Sequence, residues 1–225
     1  MDGKKNIIIK PEPEDLFLTP EQIARYAGGS RYRMDAAMEK TAGAILDKAK
    51  ELVSPAAVYA VHDLSGLKKD ILERFSIPET CDDIFQLCVC ICTLGAKLEK
   101  QVSKMMKSGS GLEAVFLDAA GVGLLESLGN LSFSHICAQA RKDDLFAGCR
   151  LGPGYGNVSM DIQKHLFSMV DSSDIGVSLT DSMVMVPAKS LSFFVFFHQK
   201  PQKGADAYKC SKCSLKNCLY RIAER

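Results

Sequence analysis

The segment Arg150-Leu151-Gly152-Pro153-Gly154-Tyr155-Gly156 combines a fixed positive charge, an aromatic ring and a glycine-rich backbone. The planar guanidinium of Arg150 is suited to two-pronged pairing with a carboxylate. The ring face of Tyr155 attracts a cation, and the glycines let a ligand approach the backbone closely. These residue types predict a site for a ligand that carries both a carboxylate and a positive charge. On these residues alone, a surface arginine beside a glycine-rich turn remains the simpler interpretation.

The same segment has the Gly-x-Gly-x-Gly spacing of nucleotide-binding loops. Such a loop must follow a buried strand and open a helix. Here residues 147–150 (Ala-Gly-Cys-Arg) make a poor core strand, and Pro153 removes a backbone donor that a phosphate would need. The context therefore disfavours a Rossmann-type nucleotide site.

Three cysteines near the end of the chain, Cys210, Cys213 and Cys218, have a spacing typical of metal ligands. Closely spaced thiolates suit zinc or an iron–sulfur cluster. A fourth ligand is missing, which His198 could supply for zinc. Reduced thiols on the surface are the equal alternative.

Other cysteines and the histidines favour structural roles. Cys88, Cys90 and Cys92 alternate along an apolar run, which places them on one face of a strand, where buried cysteine packs as a small hydrophobe. No histidine has a carboxylate or cysteine at ligand spacing, so nucleophilic catalysis has no local support. The histidines are His62, His135, His165 and His198.

The elements that must position these residues are helices and strands in runs. Thr19, Pro20 and Gln22 predict a capped helix start. The remaining predicted helices cover about 35–52, 97–106, 112–141 and 161–169, and the predicted strands lie around 58–62 and at 85–93, 177–186 and 190–198. Runs of this kind favour an α+β fold with a mainly antiparallel sheet flanked by helices. We expect an N-terminal helical segment (1–80) packed on a core (81–200), followed by the cysteine tail (201–225).

Several spaced motifs in a fixed order resemble the activation domain of vitamin B12-dependent methionine synthase. That family has an Arg-x-x-Pro-Gly-Tyr loop, a short helix, a Leu-Thr-Glu-Ser strand start and a Pro-x-x-Ser turn. The matching residues here are Arg150, Pro153, Gly154, Tyr155, Leu179, Thr180, Asp181, Ser182, Pro187 and Ser190. The resemblance extends from about Phe85 to His198, with the cysteine tail outside it. It departs after Tyr155, where the family has proline, cysteine and histidine.

The resemblance implies a non-Rossmann site for S-adenosylmethionine. Arg150 would pair with the ligand carboxylate, Gly154 would admit its backbone, and Tyr155 would act at the reacting end, against ligand or corrinoid. Asp118 and Glu126 would make polar contacts near the sulfonium, with a solvated helix face as the alternative. The implied binding residues are Arg150, Gly152, Pro153, Gly154, Tyr155, Asp118 and Glu126.

The implied function is reductive methylation that reactivates a cobalamin-dependent methyltransferase, with methionine synthase as the leading candidate. The chain would be a methyltransferase-type activator component. Its 225 residues leave no room for a corrinoid-binding module, so the resemblance implies a separate corrinoid protein and a low-potential electron donor. The alternatives are an iron–sulfur or zinc-carrying module acting on a corrinoid protein, and a domain that only binds a partner.

Composition and charge bear on whether the protein binds nucleic acid, enters a membrane or is secreted. A formal net charge of +1 gives no indication of nucleic-acid binding. The apolar stretch from Ile84 to Ala96 is too short to span a bilayer, and the N-terminus lacks a secretory signal. We therefore expect a soluble, cytoplasmic protein without a membrane partner.

Overall fold

A five-stranded antiparallel sheet forms the centre of the protein in the computed structural model, which describes residues 6–28, 35–64, 73, 75, 83–154 and 158–201. Its strands are β1 (Ile7–Ile9), β2 (Ala56–Asp63), β3 (Ile84–Thr93), β4 (Phe146–Ala147) and β7 (Ser190–His198). Their spatial order is β1-β2-β3-β7-β4. The α+β class with a mainly antiparallel sheet is therefore confirmed.

The central strand β3 explains the longest apolar run in the sequence. It is paired on both sides, with β2 in a register that sets Thr93 opposite Ala56, and with β7 in one that sets Thr93 opposite Ser190. One of its faces presents Cys88, Cys90 and Cys92, and the other presents Leu87, Val89 and Ile91. Since both faces are covered, the strand carries apolar residues throughout rather than alternating with polar ones.

Among the described residues, four helices cover the cysteine face of the sheet. They are α1 (Pro20–Gly28), α2 (Ala36–Leu52), α3 (Lys97–Lys107) and the long α4 (Gly111–Lys142). The predicted capped start of α1 is confirmed, since Thr19 and Gln22 bond reciprocally ahead of it. At the start of α2, the carboxylate of Asp35 accepts a hydrogen bond from the Met38 amide. Within the described ranges, no helix combines the length and apolar character that crossing a membrane requires.

The opposite face is covered by α5 (Ile162–Met169) and by a small hairpin of β5 (Ser178–Leu179) and β6 (Met185–Val186). The prediction of one strand over 177–186 is wrong. The hydroxyl of Thr180 accepts the Val184 amide, and Met183 adopts a left-handed backbone with φ of 62°. A side-chain hydrogen bond to the backbone thus turns the chain in the middle of the expected strand.

The sheet contains strands from both sides of position 80, the predicted boundary of the N-terminal segment. Strands β1 and β2 precede it, and β3, β4 and β7 follow it. Residues of the expected N-terminal segment are therefore part of the central sheet, as well as supplying α1 and α2. The cysteine tail lies outside the described residues, apart from Pro201.

Candidate ligand-binding site

The edge of strand β7 positions Arg150. After β4, the Gly148 amide donates to the Phe196 carbonyl at 2.8 Å, and Leu151 exchanges two backbone hydrogen bonds with Phe194 at 3.0 and 2.8 Å. Leu151 packs on the α5 side of the sheet. Because neighbouring side chains of an extended segment alternate between faces, Arg150 projects toward α4.

The guanidinium of Arg150 lies between helix α4 and the sheet. Its Nη2 donates to Oε1 of Glu126, and its central carbon lies 5.6 Å from the ring centroid of Phe193. The Arg150 side chain is only 16% exposed. Its Nη1 is buried and has no hydrogen-bond partner in the described part of the chain. Glu126 thus holds Nη2 of the guanidinium, whereas Nη1 is a hydrogen-bond donor that remains unused.

A missing side chain on α4 makes room for this arginine. A Cβ atom at Gly129 would lie 2.6 Å from Arg150 Nη1 and 3.3 Å from Leu191 Cδ2. The first distance is shorter than any carbon–nitrogen van der Waals contact allows. Gly129 is therefore a spatial requirement of the observed Arg150 position.

A second ion pair lies further toward the start of α4. Lys189 Nζ donates to Asp118 Oδ1 at 2.8 Å, and the Lys189 side chain is 13% exposed. The turn before β7 holds this lysine in place, since the Leu94 amide donates to the Lys189 carbonyl at 2.9 Å. The Ala188 amide also donates to Glu99 Oε2 at 2.7 Å, which ties the turn to α3.

Asp118 and Glu126 thus each bind a cation that lies outside α4. Eight residues separate them, about 12 Å along a helix axis. The structure brings Glu126 together with Arg150, whereas Asp118 is two turns away and pairs with Lys189 instead. Each carboxylate is neutralised by a largely buried cation. Through these two ion pairs, α4 is bonded both to the turn before β7 and to the Arg150 segment.

The loop after Arg150 is described as far as Gly154. Gly152 is buried, Pro153 is half-buried, and Gly154 is exposed with φ of +78°. The Gly154 amide donates to the Val158 carbonyl at 3.0 Å, which closes the loop, and a Cβ there would lie 3.0 Å from the Met160 sulfur. A positive φ of this size favours glycine. Tyr155, Gly156 and Asn157 lie outside the described residues.

The predicted metal ligands Cys210, Cys213 and Cys218 also lie outside the described residues. Within the described ranges, no group of three or more histidine, cysteine, aspartate or glutamate residues is arranged to hold a metal ion. His198 Nδ1 faces Asp83 Oδ1 at 3.4 Å.

The three cysteines of β3 are fully buried among helix and sheet residues, which confirms their predicted packing role. The Cys90 and Cys92 sulfurs are 3.8 Å apart. Burial is the largest cause that raises the pKa of Cys90, and it outweighs the opposing effect of Arg150. The Cys90 thiol is therefore neutral and shielded.

Sequence reasoning missed Lys189, Gly121 and Gly129. Lys189 lies in the turn between Pro187 and Ser190, but no local pattern indicates its role, because its partner Asp118 is 71 positions away in the sequence. The glycines did carry a signal, because glycine destabilises the interior of a helix and close packing is one reason for it to be there. At Gly121 a Cβ would lie 2.9 Å from Leu98 Cδ2 and 3.1 Å from Lys189 Cε.

Comparisons with known proteins agree with this architecture. Residues 134–220 match the family model of the vitamin B12 dependent methionine synthase activation domain. The match begins after Asp118 and Glu126, and it includes the cysteine tail, so the expectation that the tail lies outside the resemblance is wrong. No curated protein matches the sequence.

A solved structure of the MetH reactivation domain bound to AdoHcy is similar over most of the chain. The TM-score is 0.62 with 12% sequence identity, and the similarity covers 92% of this chain and 83% of that one. The chain therefore has the fold of the methionine synthase reactivation domain, and its residues 134–220 match the sequence model of that activation-domain family.

Proposed function

We propose that the chain binds S-adenosylmethionine beside Arg150 and uses it to remethylate a corrinoid carried by another protein. Two comparisons support this proposal: the family match over residues 134–220 and the fold shared with a reactivation domain bound to AdoHcy. AdoHcy is what remains of S-adenosylmethionine after its methyl group leaves. A pocket for one therefore suits the other.

The observation that carries the proposal is the buried, unpartnered Nη1 of Arg150. Leaving a charged donor unpaired away from water is costly. A ligand carboxylate that reached this nitrogen would satisfy it, while Glu126 holds Nη2. The donor set at this point thus fits the amino-acid end of S-adenosylmethionine.

The other residues of the loop complete the proposed site. Gly152 and Gly154 bring backbone rather than side chains to the ligand, Pro153 lies between them, and Tyr155 contacts the ligand or the corrinoid. Glu126 orients Arg150, and the Lys189–Asp118 pair holds the turn before β7 against α4. Asp118 and Glu126, each already paired with a cation, would make polar contacts near the sulfonium.

The reaction joins a one-electron reduction of cob(II)alamin to methyl transfer from the sulfonium, giving methylcobalamin and S-adenosylhomocysteine. The electron comes from a separate low-potential donor. The protein's own part is positioning, because holding two reactants in the right geometry removes most of the entropic barrier.

Apolar contact would bring the corrinoid partner to this side of α4. Val115 and Val122 are 43% and 38% exposed. Spaced three and four residues from Asp118, they share its side of the helix. With a net charge of +1, the chain has little overall charge to attract a partner, so we expect docking to depend on this apolar strip and on the turn at 187–190.

Binding is tested first by titrating the full chain calorimetrically with S-adenosylmethionine. Arg150→Ala should weaken binding about 10- to 100-fold, the size expected for a lost hydrogen bond to a charged group. Arg150→Lys should rescue only part of the loss, because lysine lacks the planar fork. Arg25→Ala on α1 is the matched control and should bind like the unchanged protein. Equal affinity of Arg150→Ala and Arg25→Ala would remove Arg150 from the site.

The reaction is tested by mixing four components: this protein, S-adenosylmethionine, a low-potential reductant and a corrinoid protein loaded with cob(II)alamin. The methylcobalamin spectrum should appear only when all four are present, and Tyr155→Ala should slow its appearance. If the chain binds S-adenosylmethionine but every corrinoid protein of the same cell stays as cob(II)alamin, the activator role is wrong and a binding-only role replaces it.

A further inference from the structure

A second cavity lies at the far end of the long helix, between the last turns of α4 and the end of the sheet. Its volume is about 370 Å³. The cavity crosses four strands, since its floor includes Phe197 of β7, Gln86 of β3, Val61 of β2 and Ile7 of β1. It is therefore a groove that runs across the sheet from β7 to the edge strand β1.

The floor of this groove is apolar and incompletely covered. Val61 and Phe197 belong to the core beneath the helices, and Ile7 is 39% exposed. Gln139 and Asp143, at the end of α4, form the opposite wall. Apolar surface that is left open between a sheet and a helix end gains stability when another apolar group covers it.

The chain leaves the sheet at this groove. Strand β7 ends at His198, directly after Phe197, and the described chain ends at Pro201. A further 24 residues, 202–225, follow in the sequence. Neighbouring strands are about 4.8 Å apart, so the groove extends about 14 Å from β7 to β1. An extended chain covers that distance in about four or five residues, so the tail is long enough to reach every part of the groove.

The composition of the tail complements the groove. Residues 202–225 contain six lysines and arginines and two acidic residues, which gives them a charge of +4, whereas residues 1–201 carry −3. None of the described residues that line the groove is basic. Leu215, Leu219 and Ile222 follow one another at intervals of four and three residues, a spacing typical of one apolar face of a helix. The tail thus combines apolar side chains for the floor with an excess of positive charge.

We propose that the C-terminal tail, residues 202–225, docks in this groove, with Leu219 and Ile222 against the apolar floor and its basic residues near Asp143. Apolar contact supplies most of the stabilisation, because exposed charge pairs contribute little. The helix side of the groove lies 10 to 14 residues beyond Gly129, about 15–21 Å along the axis of α4. The docking is therefore separate from the Arg150 site and does not rest on the proposed function.

Trypsin measures whether the tail is docked in the full chain. Cleavage after Lys216 and Arg221, followed by mass spectrometry, is compared with cleavage of a free peptide of residues 202–225. A docked tail should be cut at least about tenfold more slowly than the peptide, because cleavage requires the undocked state and one buried leucine or isoleucine favours docking by that factor. Equal rates in the chain and the peptide would overturn the proposal.

Variants in the tail test the apolar contact, each compared with a free peptide of the same sequence. Leu219→Ser and Ile222→Ser should each remove most of the protection, about tenfold, as expected when one large apolar side chain is no longer buried. Asn217→Ser, which lies outside the apolar set, is the matched control and should leave the protection unchanged. Equal protection in all three variants would contradict the assigned contacts.

Variants in the groove test the partner surface. Asp143→Lys should speed cleavage of the tail about two- to fivefold, the range expected when an exposed charge contact is lost. Asp47→Lys, the same charge change on α2, should have no effect. Protection that survives both Asp143→Lys and Leu219→Ser would come from the tail itself, for example from metal bound to its cysteines, and would refute docking in the groove.

Amide NMR of the isotope-labelled full chain locates the surface that the tail touches. Ile222→Ser should shift the amide resonances of Val61 and Gln139, which line the groove, and leave those of Lys100 and Ser103 on α3 in place. If the resonances of Val61 and Gln139 do not move, or if those of α3 move instead, the tail does not occupy this groove.

Discussion

At the scale of single residues, the site depends on two glycines that have no side chain as much as on the charged residues beside them. Gly129 and Gly121 leave room for Arg150 and Lys189, which reach α4 from outside it. Arg150 could be singled out from the sequence because its loop has an informative composition. Its partner Glu126 is implied only by the family resemblance, and no local pattern predicts the role of Lys189. Side-chain pairs between distant segments depend on tertiary contact, which local patterns do not encode.

The role of Gly129 can be tested by Gly129→Ala. The added methyl group would lie 2.6 Å from Arg150 Nη1, so the guanidinium must move. Because the contact is with the far end of a flexible side chain, we expect the fold to survive. Affinity for S-adenosylmethionine should fall about tenfold or more, comparable to losing one charged hydrogen bond. Calorimetry measures the affinity, and a melting curve verifies the fold; unchanged affinity would show that the Arg150 position is not critical.

At the scale of helices and strands, the sequence predicts an element correctly where neighbouring residues determine it. The capping residues before α1, the start of α2, the β3 run and the break between α3 and α4 all occur where predicted. The failure at 177–186 has a local cause too, the Thr180 hydrogen bond and the left-handed Met183. Residues 177–186 are rich in strand-forming residue types, so composition does not reveal the turn. The membership of β1 and β2 in the central sheet could not be predicted, because strand order is set by packing between distant segments.

The packing of α1 on α4 predicts the effect of Gly123→Ala. A Cβ at this position would lie 2.4 Å from Leu18 Cδ1 and 3.2 Å from Tyr26 Cε2. Overpacking of this kind costs about 1–3 kcal/mol, which exceeds the helix-propensity gain from replacing glycine. Denaturant unfolding should therefore show lower stability than in the unchanged protein.

Gly43→Ala is the matched control for that experiment. Gly43 lies inside α2, and a Cβ there meets nothing within 4 Å. Removing a helical glycine should raise the unfolding free energy by about 0.5–1 kcal/mol. If both variants were stabilised equally, α1 would not be packed against Gly123 as closely as the structure indicates.

At the scale of the whole molecule, the buried thiols make stability sensitive to alkali. Burial raises the pKa of Cys88 and Cys90 above the ordinary thiol value of 9.0, and raises that of Tyr59 from 10.0 to about 12. The unfolded chain loses these protons at lower pH than the folded chain does. The stability that the protonated groups contribute is therefore present below pH 9 and declines as the pH rises above it.

Urea unfolding in the presence of reductant, from pH 7 to 10.5, should show this decline. Each thiol that stays protonated in the folded state contributes a slope of up to about 1.4 kcal/mol per pH unit above its unfolded pKa. Cys88→Ala should reduce the slope of stability against pH by the contribution of one thiol. A profile that stays level up to pH 10.5 would contradict the neutral, shielded state of these thiols.

The cysteine tail gives a further prediction for the full chain. If Cys210, Cys213 and Cys218 hold a metal, elemental analysis of anaerobically purified protein should find near-stoichiometric zinc or iron. Serine at all three positions should abolish it, whereas Cys137→Ser and Cys149→Ser, which lie in the described region, should not. Metal that survives the triple substitution would refute the tail as the ligand source.

The antiparallel pairing of β3 with β7 has a consequence for the time course of biosynthesis. Thr93 and its neighbour Ser190 are 97 residues apart, yet they are hydrogen-bonded at the start of β7. At about 5–20 residues per second, a ribosome needs roughly 5–20 s to make that intervening chain. During this interval β2 covers one edge of β3, and the other edge offers unpaired backbone groups of an apolar, three-cysteine strand to any neighbouring nascent chain. The yield of native protein should therefore depend on how well the cell shields that edge until β7 emerges.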